Sequence, residues 1–147
     1  MAIPQEVRQL YAAFINSRLI RHGVLPASAD GVADVAITIA AAAVAWTFGA
    51  YTQIVAAAGI TQDTRITGFT LENFVGAAAQ GEVEIAIGAG GLEVTIGTYP
   101  LGLASSVLPK PLFVPNATRV SARYRTSTGV ADTVDIKLTT ETGSQQA

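Results

Sequence analysis

Apolar residues recur at every second position over much of the chain, which is the repeat of a β-strand that buries one face. In residues 82–96 two such runs flank the glycine-rich turn Gly88–Gly91, and their apolar positions are Val83, Ile85 and Ile87, then Leu92, Val94 and Ile96. This pattern predicts a β-hairpin with one apolar face and one polar face.

A second hairpin is predicted over residues 119–138. Its apolar positions are Val120, Ala122 and Tyr124 on the first strand and Val134, Ile136 and Leu138 on the second. Charged residues occupy the alternate positions. Both hairpins are therefore expected to present a core face and a charged face.

Weaker alternation predicts further strands at residues 35–39, 44–55, 65–71 and 112–114, and the second of these ranges is long enough for two strands. Four prolines between residues 100 and 115 limit the connection between the hairpins to edge strands and loops. About seven or eight short strands without alternating helices predict a mainly β fold. We expect an antiparallel β-sandwich, jelly-roll-like, with a short N-terminal α-helical arm.

The N-terminal segment follows a helical period instead. Pro4 suits a first helical turn, and the apolar residues after it share one helix face: Val7, Leu10, Tyr11 and Phe14. We expect a helix from about Pro4 to Arg21 and a linker over residues 24–31. The chain would then comprise a helical arm and linker (1–31), a β-sandwich domain (32–140) and a loose polar tail (141–147). The apolar helix face is predicted to dock into a groove of a partner protein.

Residues 35–62 contain no charged side chain. A run of this length could cross a bilayer, since about 20 apolar residues form a helical span. Acidic residues flank the run, alanine supplies most of its apolarity, and part of it alternates in steps of two, so we expect strands and no membrane contact. Strands with so few charges are poor monomer surfaces, which predicts a homotrimer or another homo-oligomer.

Composition excludes several classes of function. The net charge is -2 and only 14% of residues are charged, which gives no basic field for nucleic acid. Cysteine is absent and His22 is the single histidine, so thiolate chemistry is excluded and a triad would depend on His22. We expect no enzyme activity, cofactor or metal. No signal-like segment opens the chain, which predicts that it starts work in the cytoplasm.

The charged faces of the two hairpins suggest an ion-pair surface. Arginines occupy one face of the second hairpin and glutamates one face of the first: Arg119, Arg123 and Arg125 with Glu82, Glu84 and Glu93. We expect these groups to pair across neighbouring strands or subunits and to fix register. The alternatives are a nucleic-acid contact, which the lack of aromatics interleaved on the arginine face disfavours, and a cation bound by Glu84 and Glu93.

Three segments resemble tailed-bacteriophage virion structural proteins, over about residues 44–138. They are Trp46-Thr-Phe-Gly-Ala-Tyr51, the hairpin from Glu82 to Glu93, and the proline-bounded stretch from Leu108 to Arg123. The resemblance implies a scaffold without catalytic residues and a place in the virion, assembled in the host cytoplasm.

We therefore expect a non-enzymatic virion structural protein. An oligomeric decoration or cement protein bound to the major capsid protein is favoured. The alternatives are a tail, neck or fibre-attachment component, or a carbohydrate-binding or hydrolytic β-sandwich. Exposed aromatic platforms would favour the carbohydrate-binding alternative.

Overall fold

The computed structural model describes residues 4–10, 21–26, 36–76, 80–100 and 105–143. It contains a helix α1 over residues 5–10 and a short 3-10 turn at Ala57–Gly59. The strands are β1 (Arg21–Leu25), β2 (Ile37–Ala40), β3 (Thr52–Val55), β4 (Thr64–Val75), β5 (Gly81–Ile87), β6 (Val94–Pro100), β7 (Ser105–Val114), β8 (Val120–Thr126) and β9 (Thr133–Thr142).

The strands form two antiparallel sheets. The first has the order β1-β9-β4-β7, with β2 beside β1 on the same edge of β9, and the second has the order β3-β8-β5-β6. The pairs nest along the chain, because β2 pairs with β9, β3 with β8, β4 with β7 and β5 with β6. A long hairpin rolled up in this way is a jelly roll, so the predicted fold class is confirmed.

Alternate residues of both sheets fill the space between them. The first sheet contributes Ile39, Ile66, Phe69, Ile136 and Leu138, among others, and the second contributes Val83, Ile85, Val120, Ala122 and Tyr124. Phe69 meets Tyr99 of β6 with 5.4 Å between ring centroids. Burial of each large aliphatic side chain stabilises the fold by about 1.5–3 kcal/mol. The core positions predicted for residues 120–138 are all buried. The predicted second hairpin is wrong, however, because β8 belongs to the second sheet and β9 to the first, so these two strands face each other across the core and do not pair.

Several element boundaries differ from the sequence-based expectation. Arg21–Leu25 is a strand of the first sheet, where a helix end and a linker were expected. Its backbone pairs with β9, and Val24 lies opposite Thr139. For the same reason β9 continues to Thr142, into the segment expected to be a loose tail. The remainder of the predicted helix, at residues 11–20, lies outside the described residues.

The first hairpin also departs from its predicted pattern. Leu92 and Val94 were expected on the core face, yet they are 76% and 64% exposed. The β5–β6 register shifts between Ile85 and Ala86, and β6 is the edge strand of its sheet. Val94 lies opposite Ile87, which packs against the core, so its face is the expected one. Leu92 precedes β6 and Val94 is the first residue of this edge strand, and this position at the end of the sheet edge accounts for their exposure.

The uncharged run forms β2, β3 and the 3-10 turn, with residues 41–51 as an irregular connection between the two sheets. The predicted strand at 44–55 is therefore limited to Thr52–Val55. Within the part of the chain that the structure describes, no helix has the length and apolarity needed to cross a membrane.

The sandwich has two distinct ends. At one end β1 and β4 begin and β9 finishes, since Thr142 is the register partner of both Arg21 and Thr64. We call this the Arg21 end. At the other end the 41–51 connection lies beside residues 127–132, where the Ala41 amide donates to the Asp132 carbonyl at 2.8 Å. We call this the Trp46 end, because Trp46 lies on that connection.

Candidate functional site on the outer face of the second sheet

The predicted arginines lie on the outer face of β8, opposite the buried Val120, Ala122 and Tyr124. Strand register places Arg123 opposite Glu84 and Arg125 opposite Glu82 on β5. Arg119, just before β8, meets Glu93 in the connection between β5 and β6. All six residues predicted to form ion pairs are thus brought together as three pairs within one chain.

Glu84 is the centre of the group. Its residue surface is only 6% exposed. Its Oε1 atom accepts hydrogen bonds from Arg123 Nε at 2.8 Å and Thr95 Oγ1 at 2.7 Å, and forms an ion pair with Arg123 Nη2 at 2.7 Å. The Tyr51 hydroxyl donates to the same oxygen. Three hydrogen bonds and an ion pair at one oxygen favour the ionised carboxylate.

The pKa of Glu84 reflects this competition. Burial raises the pKa, but the hydrogen bonds from Tyr51 and Thr95 and the nearby Arg123 charge lower it by more, so the net pKa lies below its ordinary value. The pKa of Tyr51 is raised, first by burial and then by its hydrogen bond to the Glu84 carboxylate. The pair is therefore a neutral phenol donating to a carboxylate at neutral pH.

The outer two pairs have different surroundings. Arg125 donates through Nε at 2.8 Å and through Nη2 to Glu82 Oε2. Arg119 donates through Nη1 to Glu93 Oε1 at 2.7 Å and through Nε to Gln53 Oε1 at 3.0 Å. The hydrogen bond from Arg119 and backbone amides lower the pKa of Glu93. Glu84 and Glu93 thus form ion pairs with different arginines, Arg123 and Arg119.

Aromatic rings lie between the arginines on this face. The Arg123 guanidinium carbon is 4.3 Å from the ring centroid of Tyr51 and 4.6 Å from that of Phe48. The Arg125 carbon is 4.5 Å from the Phe48 centroid and 5.8 Å from that of Trp46. Each guanidinium therefore makes two cation–π contacts as well as its ion pair. We call Trp46, Phe48, Tyr51, Arg123 and Arg125 the arginine–aromatic ladder.

The backbone of residues 46–51 positions these rings. The Trp46 amide donates to the Thr126 carbonyl at 2.7 Å and the Gly49 amide to the Tyr124 carbonyl at 2.9 Å, which extends the edge of β8 beyond β3. Gly49 permits the close approach of the chain here. A Cβ at this position would lie 2.0 Å from the Ala40 carbonyl oxygen.

The aromatics correct one sequence-based argument. The arginine face was expected to lack interleaved rings, because β8 itself supplies none, but the rings come from the 41–51 connection. The two-residue spacing of Trp46 and Phe48 was the signal that could have indicated a shared face. Three glutamates neutralise the three arginines, so the face still offers no positive field for phosphates.

The predicted docking residues fall in two groups. Val7 and Leu10 lie on α1 and are 53% and 77% exposed. All residues from Pro4 to Leu10 are exposed. Tyr11 and Phe14 lie outside the described residues. His22, expected near a helix end, lies on β1 with Nδ1 3.5 Å from Glu141 Oε1.

Within residues 4–10, 21–26, 36–76, 80–100 and 105–143, no group of three or more histidine and acidic residues is arranged to hold a metal ion. A comparison with known protein-family models found no match. A comparison with curated protein sequences found no match either.

Proposed function

We propose that the chain is a non-enzymatic structural protein of a tailed-bacteriophage virion, and that it acts as an oligomeric decoration or cement protein on the capsid. Helix α1 is the element that docks on the major capsid protein or a neighbouring copy. The virion is then its location, with assembly in the host cytoplasm.

The observation that carries the proposal is the exposure of α1 ahead of a jelly roll. Val7 and Leu10 are three residues apart, so they share one helix face. Both are more than half exposed. A short helix gains little stability alone, because isolated helices below about 12–15 residues are marginal in water. A partner groove would supply the missing burial.

The jelly roll is compatible with this role. Jelly rolls occur in viral capsid domains, lectins and cupins, so the fold favours a virion role by analogy alone. The resemblance of residues 44–138 to virion structural proteins points the same way. The outer ion pairs and aromatic contacts stiffen the second sheet, which suits a scaffold.

Charged substitutions on α1 test the proposal. The variant Val7→Asp with Leu10→Asp should lose attachment to purified capsids in a co-sedimentation assay, since two carboxylates would enter an apolar groove. Circular dichroism should show the sandwich unchanged, because both side chains are exposed.

The matched control is Gln5→Asp with Gln9→Asp, which adds the same charge to the same helix away from the Val7 and Leu10 pair. The control should still attach. Equal attachment by both double variants would contradict the docking role of α1.

A deletion designed from the sequence alone would extend too far. Removal of residues through Gly23 would delete part of β1, whose backbone pairs with β9. A truncation that tests the arm without damaging the first sheet must stop before Arg21.

A further inference from the structure

Trp46 combines an unusual backbone with an exposed ring. Its φ is 58°, in the left-handed region that bulky residues rarely adopt. Its surface is nevertheless 46% exposed. The surrounding structure must hold such a conformation against its cost, and strained residues of this kind concentrate at functional sites.

The contacts that hold Trp46 leave its ring at the surface. Its amide donates to the Thr126 carbonyl at 2.7 Å, and its carbonyl accepts from Arg125 Nη1 at 3.4 Å. The ring lies 5.8 Å from the Arg125 guanidinium carbon. Backbone hydrogen bonds and a cationic neighbour thus fix the position of a large, half-exposed aromatic surface.

A polar pair stands beside this ring. The side chains of Glu82 and Arg125 are each 31% exposed, in contrast to the 8% exposure of the Glu84 side chain. Arg125 Nε and Nη2 both donate to Oε2 of Glu82. The second carboxylate oxygen therefore keeps acceptor capacity for a hydroxyl group.

An aromatic face flanked by a carboxylate and a guanidinium matches the chemistry of a sugar. One face of a pyranose ring carries C–H groups, which are attracted to the negative face of an aromatic ring. Its rim carries hydroxyls, which both donate and accept. We propose that Trp46, Glu82 and Arg125 form a subsite for one pyranose unit of a glycan.

A protein contact is the competing use of an exposed tryptophan beside an arginine. The Glu82–Arg125 pair argues for the sugar, because a dry protein interface would remove a partly hydrated ion pair from water at considerable cost. A sugar replaces that water with hydroxyl groups. The jelly roll also serves lectins, which makes the architecture compatible with the subsite.

The position of the subsite leaves it accessible. Trp46 lies beside Thr126, at the end of the sandwich opposite to Arg21, where β1 begins. The subsite itself does not depend on a virion role.

Saturation-transfer difference NMR on the full chain tests the subsite. The probes are the methyl glycosides of glucose, galactose, mannose and N-acetylglucosamine at millimolar concentration. At least one should bind saturably, and because Trp46 is the single tryptophan, its fluorescence should change over the same concentration range.

The variant Trp46→Gly separates binding from folding. Glycine adopts a φ of 58° without strain, so the thermal midpoint should stay within a few degrees of the parent chain. Loss of the ring should weaken binding by about tenfold or more, the scale of aromatic stacking on a planar ligand. Phe113→Ala removes another exposed aromatic, on β7, and should leave binding unchanged.

Three results would overturn the proposal. They are the absence of saturable binding for every glycoside of the panel, binding that survives Trp46→Gly, and a change of oligomeric mass in Trp46→Gly in place of a loss of sugar binding. The third result would identify the Trp46 end as a protein contact.

Discussion

Arg123 donates a hydrogen bond from Nε to Glu84 Oε1 at 2.8 Å, and its Nη2 forms an ion pair with the same oxygen at 2.7 Å. The arginine is also stacked between Phe48 and Tyr51. This pair therefore ties β5 to β8 and holds the 41–51 connection against both strands. Removal of either partner should be costly, because the other would remain as a poorly hydrated charge.

Arg123→Ala should lower the free energy of unfolding by about 2 kcal/mol, less than for a fully buried pair because the arginine is partly exposed. Urea denaturation measures the change. Lys137→Ala is the matched control: Lys137 pairs with Glu72 at 2.7 Å, and the Glu72 side chain is 39% exposed against 8% for Glu84. This variant should cost less than about 1 kcal/mol. Equal losses of unfolding free energy in the two variants would show that the Arg123–Glu84 pair contributes no more stability than the Lys137–Glu72 pair.

Acid should weaken the fold through Glu84. Its pKa in the folded chain lies below the ordinary value of 4.5, so its contribution is present above about pH 4.5 and is lost as the pH falls through the folded pKa. Asp135, whose pKa is lowered by hydrogen bonds from Thr38 and Asn73, adds a contribution of the same sign. Between pH 5 and pH 3 the urea midpoint of Glu84→Gln should fall less steeply than that of the parent chain, because the variant lacks the carboxylate that binds a proton on unfolding. An unchanged slope would mean that Glu84 does not set the acid limit.

Alkali should weaken the fold through Tyr124. Burial, with a smaller effect of the Asp132 charge, raises its pKa from 10.0 to about 12. The folded state therefore favours the neutral phenol, and the associated stability is complete below pH 10 and declines as the pH rises toward 12. Tyr124→Phe should be less stable at neutral pH but lose less between pH 10 and 12, measured by thermal unfolding. A steeper alkaline loss in this variant would contradict the assignment.

Gly49→Ala should disrupt the arginine–aromatic ladder. The added Cβ would lie 2.0 Å from the Ala40 carbonyl oxygen, so the backbone must move and the free energy of unfolding should fall by about 3 kcal/mol. Gly90→Ala is the control, because its Cβ would meet only Arg119 Nη1 at 3.8 Å. That control should stay within about 0.5 kcal/mol of the parent chain. Similar thermal midpoints for the two variants would argue against the close approach at Gly49.

The sequence predicts the sheets better than their edges. Alternation identified the core face of β8 and β9 because these central strands contact sheet on one side and polar solvent on the other. It failed at Leu92 and Val94, because Leu92 precedes β6 and Val94 is the first residue of this edge strand. It also missed β1, since Arg21–Leu25 has little pattern of its own and is a strand through its pairing with β9.

The candidate site was predictable in part. Charge and alternation placed Arg119, Arg123 and Arg125 on one face and offered the glutamates as partners. The interleaved rings of Phe48 and Tyr51 could not be assigned, because their contact depends on an irregular connection that crosses to the second sheet. The strain at Trp46 has no sequence signal, since tryptophan rarely adopts a left-handed backbone.

The proposed virion role is best tested by cryo-electron microscopy of gradient-purified tailed-phage particles from a lysate that contains the chain. We expect a repeated density that fits the two-sheet jelly roll on the capsid surface, with the N-terminal arm against the capsid or a neighbouring copy. Virions that lack this density, with the chain recovered only in the soluble fraction of the lysate, would contradict the proposed role.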